Sequence, residues 1–276
     1  MIPNLTPLIY SYNRSPILEM CKFFWKKQCS TSTIVASNIY PENPDPQFIY
    51  PIPTADLGNN QHFRVLLMGA LEQIDTKFVM LFLDDFMIRY VNWGKLDKLV
   101  HWLDYANIDS FSFIQQPLEH LTPVSNTMIA PKWDITNENM FIVSNGWKHR
   151  YSLHPSIWNR ESLYALLVNS PHVDSSAFDN GYYITTPRPY ITTASNISNF
   201  EYCQTLPFDI NTCYISYIET VVRGQFMTNR GQFDNYFFHI EVNAMKQLFT
   251  EYGVVPDKES IFAEYVSDDM HKGLFY

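Results

Sequence analysis

Nowhere does this 276-residue chain run for about 18 consecutive apolar residues, and its N-terminus has no basic stretch leading into an apolar one. A membrane span and a secretory leader are therefore not expected, and a cytoplasmic protein is. The four cysteines, Cys21, Cys29, Cys203 and Cys213, include no C-x-x-C pair and no nearby histidine pair of the kind zinc sites use. They read as plain thiols of a reducing compartment. Basic residues are scarce, 19 against 28 acidic, and the net charge of −9 repels polyanions, which disfavours broad nucleic-acid binding. Repeats, low-complexity tracts and an obvious linker are also missing. What is present is apolar material, 46% of the chain, enough for one sizeable core.

The most informative stretch is Phe78 to Ile88, FVMLFLDDFMI, an apolar run of strand length that stops on Asp84 and Asp85. Such a run reads as a buried strand, and carboxylates at its C-terminal end fall where open α/β sheets bind their ligands. Burying an unpaired carboxylate is costly, so at least one of the pair should meet a mouth, a cation or a donor. The functional reading is a divalent-cation and diphosphate site built on hard oxygen ligands. The structural alternative is a strand-end pair that caps the next segment or meets Arg89.

Around this run the front half alternates. Leu8 to Tyr12 reads as a strand, Ile17 to Gln28 as a helix with Leu18, Cys21, Phe24 and Trp25 at helical spacing, and Thr33 to Ala36 as a β-branched strand parallel to the first. After a Pro-rich loop, Tyr40 to Pro53, come a helix at His62 to Gln73 and, beyond the acidic strand, another at Trp93 to Asn107. The back half is less regular: a strand at Ile108 to Gln115, a meander over Pro117 to Asn145, Tyr151 to Trp158 leading into a helix near Arg160 to Val168, and a helix at Val242 to Tyr252.

Several segments together, IYSYNRSP, IVASN, RVLLMGALEQIDTKFVMLFLDDFMI, YSLHPSIWNRESLYALL and VVRGQF, resemble the GT-A-type glycosyltransferase-like proteins of bacterial capsule, lipopolysaccharide and phage gene clusters. The likeness spans most of residues 5 to 231. It implies an α/β fold, GT-A-like (Rossmann-like), with a mixed, mostly parallel central sheet flanked by helices. One domain, 1–276, is expected, with a nucleotide-sugar-binding half (1–115) and an irregular acceptor and catalytic half (116–276).

The resemblance also implies roles. Ser11, Tyr12 and Arg14 would lie against the donor nucleoside, Asn38 would offer an amide to its base, and Asp56 and Arg64 would approach the nucleotide. Asp84 would sit near the ribose and Asp85 would hold Mn or Mg. For Ser11 and Asn38 ordinary turn chemistry is the competing account, and for Arg64 a solvated helix position. The family's Ser-Leu-Gln-Pro-x-Ile-Trp reads here with His154 in place of glutamine, on the acceptor side. SSAFDN fills the place of a Trp-Glu-Phe-Glu-like segment, making Asp179 the first candidate base and Asp174 the second; a turn before Gly181 is the alternative for Asp179. His239 or His271 would complete a metal shell, although a lone histidine is more often a surface or core residue. Among the aromatics Trp147, Tyr151, Trp158, Tyr182 and Tyr183, Trp158 is expected in the core, and Tyr182 and Tyr183 face either core or acceptor.

The expected activity is transfer of a sugar from a nucleotide sugar, a UDP-sugar first, to a hydroxyl of a glycan or glycolipid precursor, with inversion. Two alternatives stand beside it. One is a phage enzyme glycosylating hydroxymethylated DNA bases, which the acidic balance opposes. The other is a sugar- or nucleotide-binding homologue without turnover.

Overall fold

The computed structural model describes residues 2–13, 15–51, 62–113, 118–124, 140–144, 151, 153–170, 193–196, 214–219, 221–222 and 225–226. In chain order the first half runs β1 (Leu5–Ser11), α1 (Ser15–Gln28), β2 (Thr33–Ser37), β3 (Phe48–Ile49), α2 (His62–Leu71), β4 (Phe78–Leu83), β5 (Phe86–Val91) and α3 (Trp93–Tyr105). There follow β6 (Ser110–Ser112), β7 (Leu121–Pro123), β8 (Met140–Val143), β9 (Ser156–Asn159), α4 (Arg160–Asn169), β10 (Thr193–Asn196), β11 (Ile215–Glu219), β12 (Val221–Val222) and β13 (Gln225–Phe226).

Nine of these strands form one sheet in the order β3-β2-β1-β4-β9-β6-β10-β8-β7. The front half, β3 through β4, is parallel throughout. Beyond it β9 runs antiparallel to both β4 and β6, β10 is parallel to β6, and β8 and β7 pair antiparallel. This is a mixed α/β fold whose parallel pairing is concentrated in the front half. From β1 the chain moves to one side through α1 to β2, then returns through α2 to β4 on the other side. The strand order therefore reverses at β1 and β4, the kind of switch point where open α/β sheets leave a crevice at their carboxyl ends.

Side-chain alternation explains why the front strands read as continuous apolar runs. Ile9, Val35, Met80 and Phe82 face one side and pack with Ile17, Cys21, Phe24 and Trp25 of α1 and with Leu96 and Leu99 of α3. Their alternates Leu8, Tyr10, Ile34, Ala36, Val79 and Leu81 face the other side, against Phe63, Leu66 and Leu67 of α2 and Leu163 and Leu167 of α4. A parallel sheet covered on both faces needs apolar residues at every position. Helices α3 and α4 start with defined caps: Asn92 accepts from the Lys95 amide at 3.1 Å, and Asn159 from the Glu161 and Ser162 amides at 3.0 and 3.1 Å.

Two polar features hold α1 to the sheet edge. Trp25 donates its indole N–H to the Thr33 hydroxyl at 2.8 Å. Lys22 is buried, its ammonium 2.8 Å from Glu19 and over the rings of Phe48 and Tyr50 at 5.0 and 5.6 Å. Burial alone would lower the pKa of that ammonium. The hydrogen bonds to Glu19, with the Tyr50 hydroxyl's field beside them, outweigh burial and hold it above the ordinary lysine value.

Sequence periodicity locates α1, α2, α3 and α4 and strands β1, β2 and β4 closely. It differs in three places. Of the strand expected over Ile108 to Gln115, the described residues through Phe113 form only β6, with Ile108 and Phe113 buried on either side of it. The residues after Asp85 form a separate strand, β5, which pairs antiparallel with β11. A strand also forms within the Pro- and Thr-rich residues leading up to Ser198, where the sequence pattern marks no element: β10 is held between β6 and β8 by pairing to both. The helix expected at Val242 to Tyr252 lies outside the described residues.

Candidate functional site

The parallel strands end together. Register sets Ser37 of β2 beside Ser11 of β1, and Tyr10 beside Leu83, so that Ser11 and Asp84 come abreast just past the ladder. The Asp84 amide donates to the Tyr10 carbonyl at 3.0 Å, and the Ser11 hydroxyl donates to Asp84 Oδ2 at 2.6 Å. Asp84 thus meets the donor that a buried carboxyl requires. The carboxylates are nearly closed from solvent, Asp84 at 1% and Asp85 at 6% exposure.

Directly after Asp85 the chain leaves the large sheet as β5. The Phe86 ring lies 4.9 Å from that of His154 and 5.4 Å from that of Tyr217, and the Tyr217 hydroxyl is 3.4 Å from His154 Nδ1. His154 reaches this point because β9 runs against β4. Ser156, the first residue of β9, pairs with Leu81 near the end of β4, so the residues preceding β9 arrive beside the acidic pair. On the α1 side, Cys21 directs its thiol to the Phe86 carbonyl at 3.7 Å. Burial, followed by the negative fields of Asp84 and Asp85, pushes this thiol well above its ordinary pKa, with Lys22 opposing.

The loops after β1 and β2 are joined. The Asn13 amide donates to Asn38 Oδ1 at 3.0 Å, and Asn38 Nδ2 donates to Asn13 Oδ1 at 2.6 Å. Asn13 has a φ of 55°, a left-handed conformation that asparagine tolerates better than most residues. Between Ser11 and Asn13, the Tyr12 ring stacks on that of His62 at the start of α2, with centroids 4.4 Å apart and an interplanar angle of 28°.

Arg64 donates from Nε to the Leu167 carbonyl in the last turn of α4 at 2.7 Å, a favourable place for a cation at a helix C-terminus. Tyr151 and Trp158 are buried in the α2–α4 core with ring centroids 5.7 Å apart, and Trp158 donates to the Ser156 hydroxyl at 3.0 Å. The structure therefore brings Ser11, Tyr12, Asn38, Asp84, Asp85 and His154 to one edge of the sheet and its flank. Arg14, Asp56, Trp147, Asp174, Asp179, Tyr182, Tyr183, His239 and His271 lie outside the residues whose side chains are described.

Sequence reasoning did not single out Tyr217, Phe86 or His62. Phe86 and Tyr217 become neighbours through the β5–β11 ribbon, which no local pattern announces, and the sequence pattern marks His62 only as the start of a helix. Among the described residues no group of three His, Cys, Asp or Glu side chains gathers to hold an ion. No described helix is long and apolar enough to cross a membrane. A cavity of about 240 Å³ lined by Leu71, Glu72, Arg160, Glu161 and Tyr164 belongs to the opposite edge, where the Arg160 amide bonds Lys77 just ahead of β4.

No protein-family model and no curated protein matches this chain. Among solved structures, it is similar to a mannosyltransferase from Pyrobaculum calidifontis in complex with GDP-Man and Mn²⁺, at 14% identity and a TM-score of 0.38. That match covers 72% of this chain and spans 58% of the length of the mannosyltransferase. It is also similar to residues 1–349 of TarS from S. aureus in complex with UDP-GlcNAc, at 13% identity and a TM-score of 0.35, covering 97% of this chain and 77% of that one. Likenesses this distant assign no activity.

Proposed function

We propose that the chain is a glycosyltransferase that uses a nucleotide sugar, a UDP-sugar first, and transfers the sugar with inversion to a hydroxyl of a glycan or glycolipid precursor. The observation that carries this reading is the place of Asp84 and Asp85, directly past β4 at the reversal of strand order, where the carboxyl ends of parallel strands converge. The sequence resemblance supplies the choice of chemistry.

On this reading the acceptor oxygen forms a bond to the anomeric carbon as the bond from that carbon to the diphosphate oxygen breaks. The acceptor proton passes to Asp179, with Asp174 as the second candidate, and the nucleoside diphosphate departs. Ser11 and Tyr12 border the nucleoside, with Arg14, Asp56 and Arg64 approaching it. His154, Tyr182 and Tyr183 serve the acceptor side.

A divalent cation fits the donor set. Mg²⁺ and Mn²⁺ take hard oxygen ligands and are often held by one or two carboxylates plus substrate phosphates, so Asp85, with Asp84 alongside, would be the protein's ligands to such an ion. Bound there, it would supply charge neutralisation for a departing diphosphate.

The burial of both carboxyls and the commitment of Asp84 to Ser11 favour a second reading, a sugar-nucleotide-binding protein without turnover. The deciding experiment incubates the protein with a panel of nucleotide sugars and Mn²⁺ and follows release of nucleoside diphosphate. Release from one donor supports the transferase. Binding without release supports the silent homologue, and neither binding nor release defeats both.

A further inference from the structure

We infer that Asn38 is a positioning residue, which joins Asn13 in a clasp that presets the loops at the ends of β1 and β2, and that it does not read the base of a nucleotide. The orientation of its amide is fixed internally. The Asn13 N–H must meet an oxygen, which places Asn38 Oδ1 at 3.0 Å and turns Nδ2 onto Asn13 Oδ1 at 2.6 Å. The opposite flip would set donor against donor.

Three consecutive residues are thereby tied to three different elements. Ser11 bonds Asp84 past β4, Tyr12 stacks on His62 of α2, and Asn13 is held by Asn38 past β2. Asn13 takes up its left-handed conformation within this arrangement, and the clasp holds it there. A loop ordered in advance spares a ligand the entropy of ordering it, so loss of the clasp weakens every ligand bound against these loops alike. A residue reading a base discriminates between bases instead, because the wrong partner leaves its polar groups unmatched.

The binding arm of the test rests on the proposed function; the stability arm does not. Asn38→Ala, Asn13→Gly (which keeps the left-handed backbone) and the double variant are compared in urea denaturation and in amide hydrogen exchange at residues 10–13. The clasp predicts that the double variant's midpoint falls no further than the lower of the two singles, and that exchange at residues 11–13 quickens about tenfold in Asn38→Ala. Additive midpoint shifts with unchanged exchange overturn it. In titrations with UDP and GDP, Asn38→Ala should weaken both by the same factor, leaving their ratio of Kd values unchanged, and a changed ratio overturns the positioning role. If the wild type binds neither nucleotide, the donor reading fails and the clasp is judged on midpoints and exchange.

Discussion

Ser11 and Asp84 stand abreast at the ends of two parallel strands, and the serine hydroxyl donates to the carboxyl at 2.6 Å in a buried setting. Removing one partner of a buried polar pair leaves the other desolvated and unmatched, at about 1–3 kcal/mol and more when it is charged. Ser11→Ala should therefore lower stability by at least about 1 kcal/mol in urea denaturation. A variant as stable as the wild type would mean that another donor replaces the hydroxyl.

The two carboxylates assigned to chemistry should separate in their effects. Asp85→Asn is expected to remove the Mn²⁺ dependence of donor binding, and Asp179→Asn to leave donor binding intact while lowering transfer by about 10²–10⁴-fold. Calorimetric titration with and without Mn²⁺, together with single-turnover assays, checks both. Wild-type transfer by Asp179→Asn would move the base to Asp174 or away from the protein.

Cys21 should be inert in the folded protein. Its burial and the fields of Asp84 and Asp85 keep the thiol protonated above the pH at which a free cysteine ionises, and only the thiolate is nucleophilic. Iodoacetamide at pH 8 followed by peptide mapping should find Cys21 unmodified until denaturant is added. Rapid labelling of native protein would contradict the packing around Phe86.

Lys22 gives a test in alkali. Its folded pKa lies above its ordinary 10.5, so its contribution to stability is complete below that value and is lost as pH rises through the folded one. Tyr50, raised from 10.0 mainly by burial and opposed by Lys22, is lost in the same direction. Lys22→Met, which keeps the apolar stem, should be less stable than wild type at pH 8, with the difference shrinking above about pH 10.5. A difference that stays constant across that range would show that the ammonium contributes nothing.

Arg64 separates a structural from a binding role. Its Nε bond to Leu167 predicts that Arg64→Met destabilises the α2–α4 seam by about 0.5–1.5 kcal/mol. If the guanidinium also meets a phosphate, donor Kd rises in the same variant, whereas Arg64→Lys restores charge without the bidentate fork. Unchanged donor affinity in both variants would confine Arg64 to the seam.

Much of the front half was legible because its signals are local. Helical spacing at Leu18, Cys21, Phe24 and Trp25, and the apolar run up to Asp84, each declare an element and its buried face without reference to the rest of the chain. The strands β5 and β10 were not legible in this way. Their pairing comes from β11 and from β6 and β8, brought together by tertiary structure. The site divides on the same line. The acidic pair showed itself through its strand, whereas the engagement of Asn38 by Asn13 depends on where two loops meet, and sequence offered turn chemistry and ligand contact equally. Tyr217 carried no signal, since its meeting with His154 needs both β9 and the β5–β11 ribbon in place.

The reversed direction of β9 decides where such a scaffold tolerates change. Residues added ahead of Ser156 would lengthen the arm that carries His154 to Phe86 while leaving the pairing of Leu81 with Ser156 and of Phe78 with Asn159 untouched. Residues added after Asn159 would instead disturb the cap of α4 at the far edge. Variation in length can therefore accumulate in the segment leading into β9 without re-registering the sheet.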